Sequence, residues 1–90
     1  MDIMITDQTN TEDRVSFEMV SGKKEAYISF NWKLGMVSVL CKNASHRAWK
    51  GMGRTFWSWT EAKDAYKSSD MKSMIEYAEE NSTPKLNVVG

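Results

Sequence analysis

A chain of ninety residues makes one domain with a small core. Its charges cancel, 12 basic against 12 acidic, so it lacks the overall basic balance of a dedicated nucleic-acid binder. One cysteine, Cys41, excludes an internal disulfide framework, and no stretch approaches the ~18 apolar residues of a membrane span.

Residues 1–13 form a polar, acidic N-terminal segment with Asn10-Thr11-Glu12-Asp13 as a loop, and its first few residues are expected to be loose. The first residues carry no basic stretch or long apolar run. Together with the lone thiol, this reads as a soluble, cytoplasmic protein.

The folded body is expected over 14–81. From Arg14 the hydrophobic period becomes two: Val15, Phe17 and Met19 alternate with Ser16 and Glu18, the pattern of a half-buried strand. Ser21-Gly22-Lys23-Lys24 turns the chain, and glycine supplies the positive φ. A second strand follows, with Ala26, Ile28, Phe30 and Trp32 on one face and Tyr27, Ser29 and Asn31 on the other. Lys33-Leu34-Gly35 turns again. Val37, Val39 and Cys41 then alternate with Met36, Ser38 and Leu40. Short connections between strands make an antiparallel meander. Val15 to Cys41 of the apolar set form its core face. The opposite face is wet and offers a contact surface.

Residues 42–57 admit two readings, a fourth strand or a long loop hinged at Gly51 and Gly53. Ser58-Trp59-Thr60-Glu61 fits a capping box, which starts a helix at Trp59 with Ala62, Ala65 and Tyr66 on its apolar face. Met71, Met74, Ile75 and Ala78 form a second stripe at i, i+3, i+4 and i+7. At about 100° per residue the two stripes point in opposite directions, so one straight helix cannot bury both. A break is predicted at Ser68-Ser69-Asp70, with Ser69 or Asp70 capping a second helix that ends near Asn81. Residues 82–90 form a tail whose Leu86, Val88 and Val89 either add a short strand or fray. The fold class is α+β: an antiparallel three- or four-stranded meander sheet with one face covered by one or two C-terminal helices.

No catalytic set emerges. Cys41 and His46 would be the thiol–imidazole pair, but they are five apart across a loop and read as a core residue and a loop residue. Zinc needs four suitable ligands, and Cys41 and His46 are two. Gly51-Met52-Gly53-Arg54 lacks the third glycine of a dinucleotide fingerprint. Glu76, Glu79 and Glu80 read as a solvated helix face. The expectation is a non-enzyme with no cofactor and no metal.

The distribution of charge is more informative. Residues 1–20 carry five acids against Arg14 alone, residues 21–57 carry seven cations against Glu25 alone, and residues 58–90 are again acidic. The tryptophans gather in and beside the basic middle. Lys42, Arg47, Lys50 and Arg54 are the candidate phosphate contacts, helped by Lys23, Lys24 and Lys33. Trp49 is the candidate stacking ring, and Trp57 completes the basic, aromatic stretch. Met52, between two glycines, is an adaptable contact residue. Trp32 reads as core, and Trp57 and Trp59 as packed at the helix start.

The order of strands followed by Phe56-x-Ser58-x-x-Glu61-Ala62 resembles small three-stranded DNA-binding domains of the AP2 and integrase-arm type over Arg54 to Tyr66. The basic residues that such domains place along their sheet are replaced here by Ser29, Asn31 and Ser38. Two functions follow. The first is a binding module for nucleic acid through 42–57. The alternative is a protein-binding regulator, inhibitor or adaptor, with homodimerisation through a sheet edge or a Met/Trp patch.

Overall fold

The computed structural model describes residues 3–43 and 53–82. The chain runs through five strands, β1 (Ile3–Asn10), β2 (Arg14–Ser21), β3 (Lys24–Asn31), β4 (Met36–Asn43) and β5 (Arg54–Phe56), then α1 (Trp59–Asp64) and α2 (Ser69–Glu80). The strands form one antiparallel sheet in chain order, β1-β2-β3-β4-β5. Both helices lie on one face, as the phase of their apolar stripes requires. Val15, Phe17, Met19, Ala26, Ile28, Val37, Val39 and Phe56 of the sheet meet Ala62, Met71, Met74, Ile75 and Ala78 of the helices in a single core. Each large side chain buried there contributes about 1.5–3 kcal/mol.

The sheet has more strands than the alternation in the sequence suggests. Ile3–Asn10, within the polar acidic segment to which the sequence assigned no strand, forms β1 along β2. Of its side chains, Ile3 and Ile5 pack against the core, and the rest are exposed. Backbone pairing with β2 holds this strand, and that leaves little trace in a hydrophobic pattern. A register shift between Ile5 and Asp7 marks a bulge, which twists the edge and discourages pairing with another chain. At the other edge, β5 realises the fourth-strand reading over three residues. The five-stranded sheet with two helices also departs from the three-stranded domains resembled by 54–66.

The helix breaks before Ser69, and the cap of the second helix falls one residue earlier than predicted. Ser68, not Ser69 or Asp70, is the N-cap of α2, and its Oγ accepts from the Met71 backbone N–H at 3.3 Å. This places Asp70 in the first turn, where a carboxylate suits the helix dipole. There it also accepts a hydrogen bond from Ser21 Oγ at 3.1 Å. α1 starts as the capping box requires, with Ser58 Oγ accepting from Glu61 N–H at 3.0 Å. The Glu61 carboxylate reaches one residue further back than expected, to the Trp57 backbone N–H at 3.1 Å. The two helices are tied by Lys63 Nζ to Glu79 Oε1 at 2.8 Å and by Lys72 Nζ to the Lys63 carbonyl at 2.6 Å. Glu79 is therefore engaged between the helices, while Glu76 and Glu80 are exposed as expected.

The face away from the helices is polar, and its register is regular. Thr9, Ser16, Ser29, Ser38 and Thr55 are paired in turn across all five strands, so one row of hydroxyl side chains crosses the sheet. Beside it run Asp7, Glu18, Tyr27 and Leu40. A shallow hollow of about 210 Å³ lies between Tyr27, Ser29, Ser38, Leu40 and Gly53. Trp32, read as core, is only half-buried. It packs against the rim of the core, and its Nε1 donates to the Ser82 carbonyl at 2.7 Å.

Candidate functional site

Lys42 occupies the penultimate position of β4, directly opposite Glu25 of β3. Alternation decides where it points. Cys41 belongs with the core-facing residues, so Lys42 faces the other way. Its Nζ meets Glu25 Oε1 at 2.9 Å, with 7% of the side chain exposed. A carboxylate at this distance compensates the charge, so the lysine contributes little net field at the surface.

Arg54 opens β5 opposite Val39 and therefore shares the core-side face with Val39 and Phe56. Its guanidinium lies 5.2 Å from the Phe56 ring centroid and 5.5 Å from that of Tyr66, both within cation–π range. Arg54 also bears on the Tyr66 hydroxyl. Burial pushes its pKa up, nearby Cys41 adds to this, and Arg54 opposes it. Phe56 and Tyr66 meet edge to face at 6.2 Å. Arg54 thus forms part of the seam that docks α1 onto β5.

Lys42 and Arg54 therefore stand on opposite faces of the sheet. Of the other expected cations, Lys23 and Lys24 lie at the β2–β3 turn, where Lys24 Nζ donates to Asn43 Oδ1 at 3.1 Å. Lys33 lies at the β3–β4 turn, at the far end of an eight-residue strand, roughly 25 Å away. Arg47, Trp49, Lys50, His46 and Met52 lie outside the described residues. Among the described candidates, the fold places Arg54 at the start of the short edge strand and Trp57 just after its end, and leaves Lys42 apart from them.

Trp57 corrects the sequence reading. It was expected to pack at the helix start beside Trp59, yet it is 69% exposed. Trp59 takes the packing role, with its ring 5.3 Å from that of Phe30. The two tryptophans separate because Trp59 begins α1, on the side that carries Ala62 into the core. Trp57 precedes the cap, and its backbone N–H is drawn to Glu61.

Leu34, which sequence reasoning passed over, is 61% exposed in the β3–β4 turn. Val37 pairs with Phe56, so the turn before β4 and the residue after β5 leave the sheet at the same end. Leu34 and Trp57 are thus two large apolar side chains presented at one end of the molecule. The signal for Leu34 was present: an apolar residue between Lys33 and Gly35 at a turn has no core to enter. Beside Trp57, an open groove of about 690 Å³ runs between β5 and the outer side of α1, with Thr60, Glu61 and Asp64 on its helical wall.

Cys41 is half-buried at the core margin. Among the described residues, no three His, Cys, Asp or Glu side chains gather as a metal site, and no helix is long and apolar enough to cross a membrane. No protein-family model matches the chain, and neither does any curated protein or solved structure.

Proposed function

We propose that this domain is a non-catalytic module that binds a protein partner at the end of the sheet where Trp57 stands exposed. The exposure of Trp57 carries this reading. An indole held 69% in solvent offers the largest apolar area of any side chain. Tryptophan is also the residue most enriched among those that dominate protein interfaces. Leu34 adds a second apolar contact at the same end.

Electrostatics favours a protein over a nucleic acid. Affinity for a phosphate backbone grows with each cation free to neutralise a phosphate. Lys42 is compensated by Glu25, while Arg54, beside the Phe56 and Tyr66 rings, keeps its charge exposed in the groove. The groove beside Trp57 sets the two exposed acids Glu61 and Asp64 against that one cation, a balance that repels phosphates more than it attracts them.

A benzophenone photo-cross-linker in place of Trp57, introduced in the cells from which the protein comes, tests the proposal. The expected result is a discrete protein adduct that resists nuclease and disappears when the cross-linker is moved to exposed Glu12. A nuclease-sensitive adduct, or no adduct above the Glu12 control, would overturn it.

A further inference from the structure

The inference rests on the protein-binding reading and concerns the form of the partner. β5 is the last strand of the sheet, and among the described residues no strand lies on its outer edge. Three residues in extended conformation make an edge about 10 Å long, and among the described residues no strand pairs with its outward N–H and C=O groups, the arrangement that templates an added strand. A helix runs beside this edge. The helical wall of the groove comes from Thr60, Glu61 and Asp64, which are spaced so that they share one side of α1. An edge strand flanking a helix, with an open groove between them, is the geometry in which an extended peptide adds a strand to a sheet.

We infer that the partner is engaged through an extended segment that lies along β5 as a sixth strand and turns a lysine or arginine toward Glu61 and Asp64. Register dictates which side chains enter the groove. Residues of an added strand alternate between the two faces of the sheet. Those beside Arg54 and Phe56 turn to the helix side, and those beside Thr55 turn to the hydroxyl row. The helix-side positions meet Glu61 and Asp64, both exposed. The Arg54 guanidinium is held over the Phe56 and Tyr66 rings. The groove therefore carries Arg54 on its strand side and the two acids on its helical side, and it is the helical side, Glu61 and Asp64, that a basic side chain of the segment complements. Trp57 closes the end of β5 and supplies the apolar anchor, while the ladder supplies affinity independent of side-chain identity. The opposite sheet edge is less suited to this role, because β1 carries a bulge and Asp7.

Display of random linear seven-residue peptides against the full chain tests this directly. The enriched peptides are expected to alternate in β-branched residues and to carry a lysine or arginine. Their affinity should fall at least tenfold on Asp64→Lys, a substitution at an exposed position in the last turn of α1, where a cation suits the helix. N-methylation of alternate peptide amides should abolish binding, since a ladder needs those N–H groups. No enrichment over an unrelated domain, affinity unchanged by Asp64→Lys, or tolerance of N-methylation in both alternations would overturn the inference. So would a dimer of the chain that Asp64→Lys dissociates, because the edge would then belong to a second copy. A protein adduct at position 57 that persists unchanged in Asp64→Lys would leave the protein-binding reading standing while removing strand addition.

Discussion

Ser21 and Asp70 lie 49 residues apart in the chain, yet the Ser21 hydroxyl donates to the Asp70 carboxylate at 3.1 Å. This bond pins the first turn of α2 to the tight turn between β2 and β3. It explains how the second helix keeps its apolar stripe over the sheet after the chain breaks at Ser68.

Gly22 sits under the same carboxylate with φ +60°, and a Cβ there would lie 2.6 Å from Asp70 Oδ2. Gly22→Ala should therefore cost about 1–3 kcal/mol, mostly from the left-handed backbone. The carboxylate can swing away from the new methyl, but only by leaving Ser21. In urea denaturation, Gly22→Ala and Ser21→Ala should combine to less than the sum of their separate effects. Strict additivity would show that the carboxylate does not link the two.

Met74 is fully buried and Trp57 is 69% exposed, so size alone does not rank them. Met74→Ala should destabilise by about 2–5 kcal/mol. Trp57→Ala should stay within about 0.5 kcal/mol, as surface substitutions do. Chemical denaturation of the two variants side by side checks this, and a large loss for Trp57→Ala would mean that the indole serves folding.

The contrast shows what a sequence can carry. β2, β3 and β4 are legible because each puts apolar side chains on alternate positions over a buried face. The break at Ser68 is legible because two stripes out of phase cannot share one sheet. β1 is not, since Ile3 and Ile5 alone reach the core and the backbone ladder does the rest. The opposed placement of Lys42 and Arg54 was half legible. Lys42 follows Cys41 in an alternating strand, so its face could be read. That of Arg54 required the pairing of Phe56 with Val37, which no local pattern reveals. The exposure of Trp57 was hidden because two tryptophans flank one cap, and composition does not say which of them turns inward.

Asp7 and Glu18 are directly paired across β1 and β2, which sets two carboxylates side by side on the hydroxyl face. Like charges in this position are unfavourable by roughly 0.2–1 kcal/mol. Asp7→Lys should raise the thermal midpoint, more at low salt than at high salt. A fall in the midpoint at low salt would contradict the pairing.

Burial raises the Tyr66 pKa. A phenol whose folded pKa lies above its unfolded value, near 10, binds its proton more tightly in the native state. Its contribution to stability is complete below pH 10 and is lost as pH rises through the folded value. Stability of the native protein should therefore decline more steeply above pH 10 than that of Tyr66→Phe. Parallel curves for the two proteins would show that Tyr66 titrates as in the unfolded chain.

The most direct test of the account is the affinity of the partner captured at position 57, measured calorimetrically for the native chain and for Trp57→Ala in one buffer. A loss of about thirtyfold or more, the size of an interface hot spot, with the urea midpoint unchanged, is the predicted result. Equal affinity for the two proteins would contradict it.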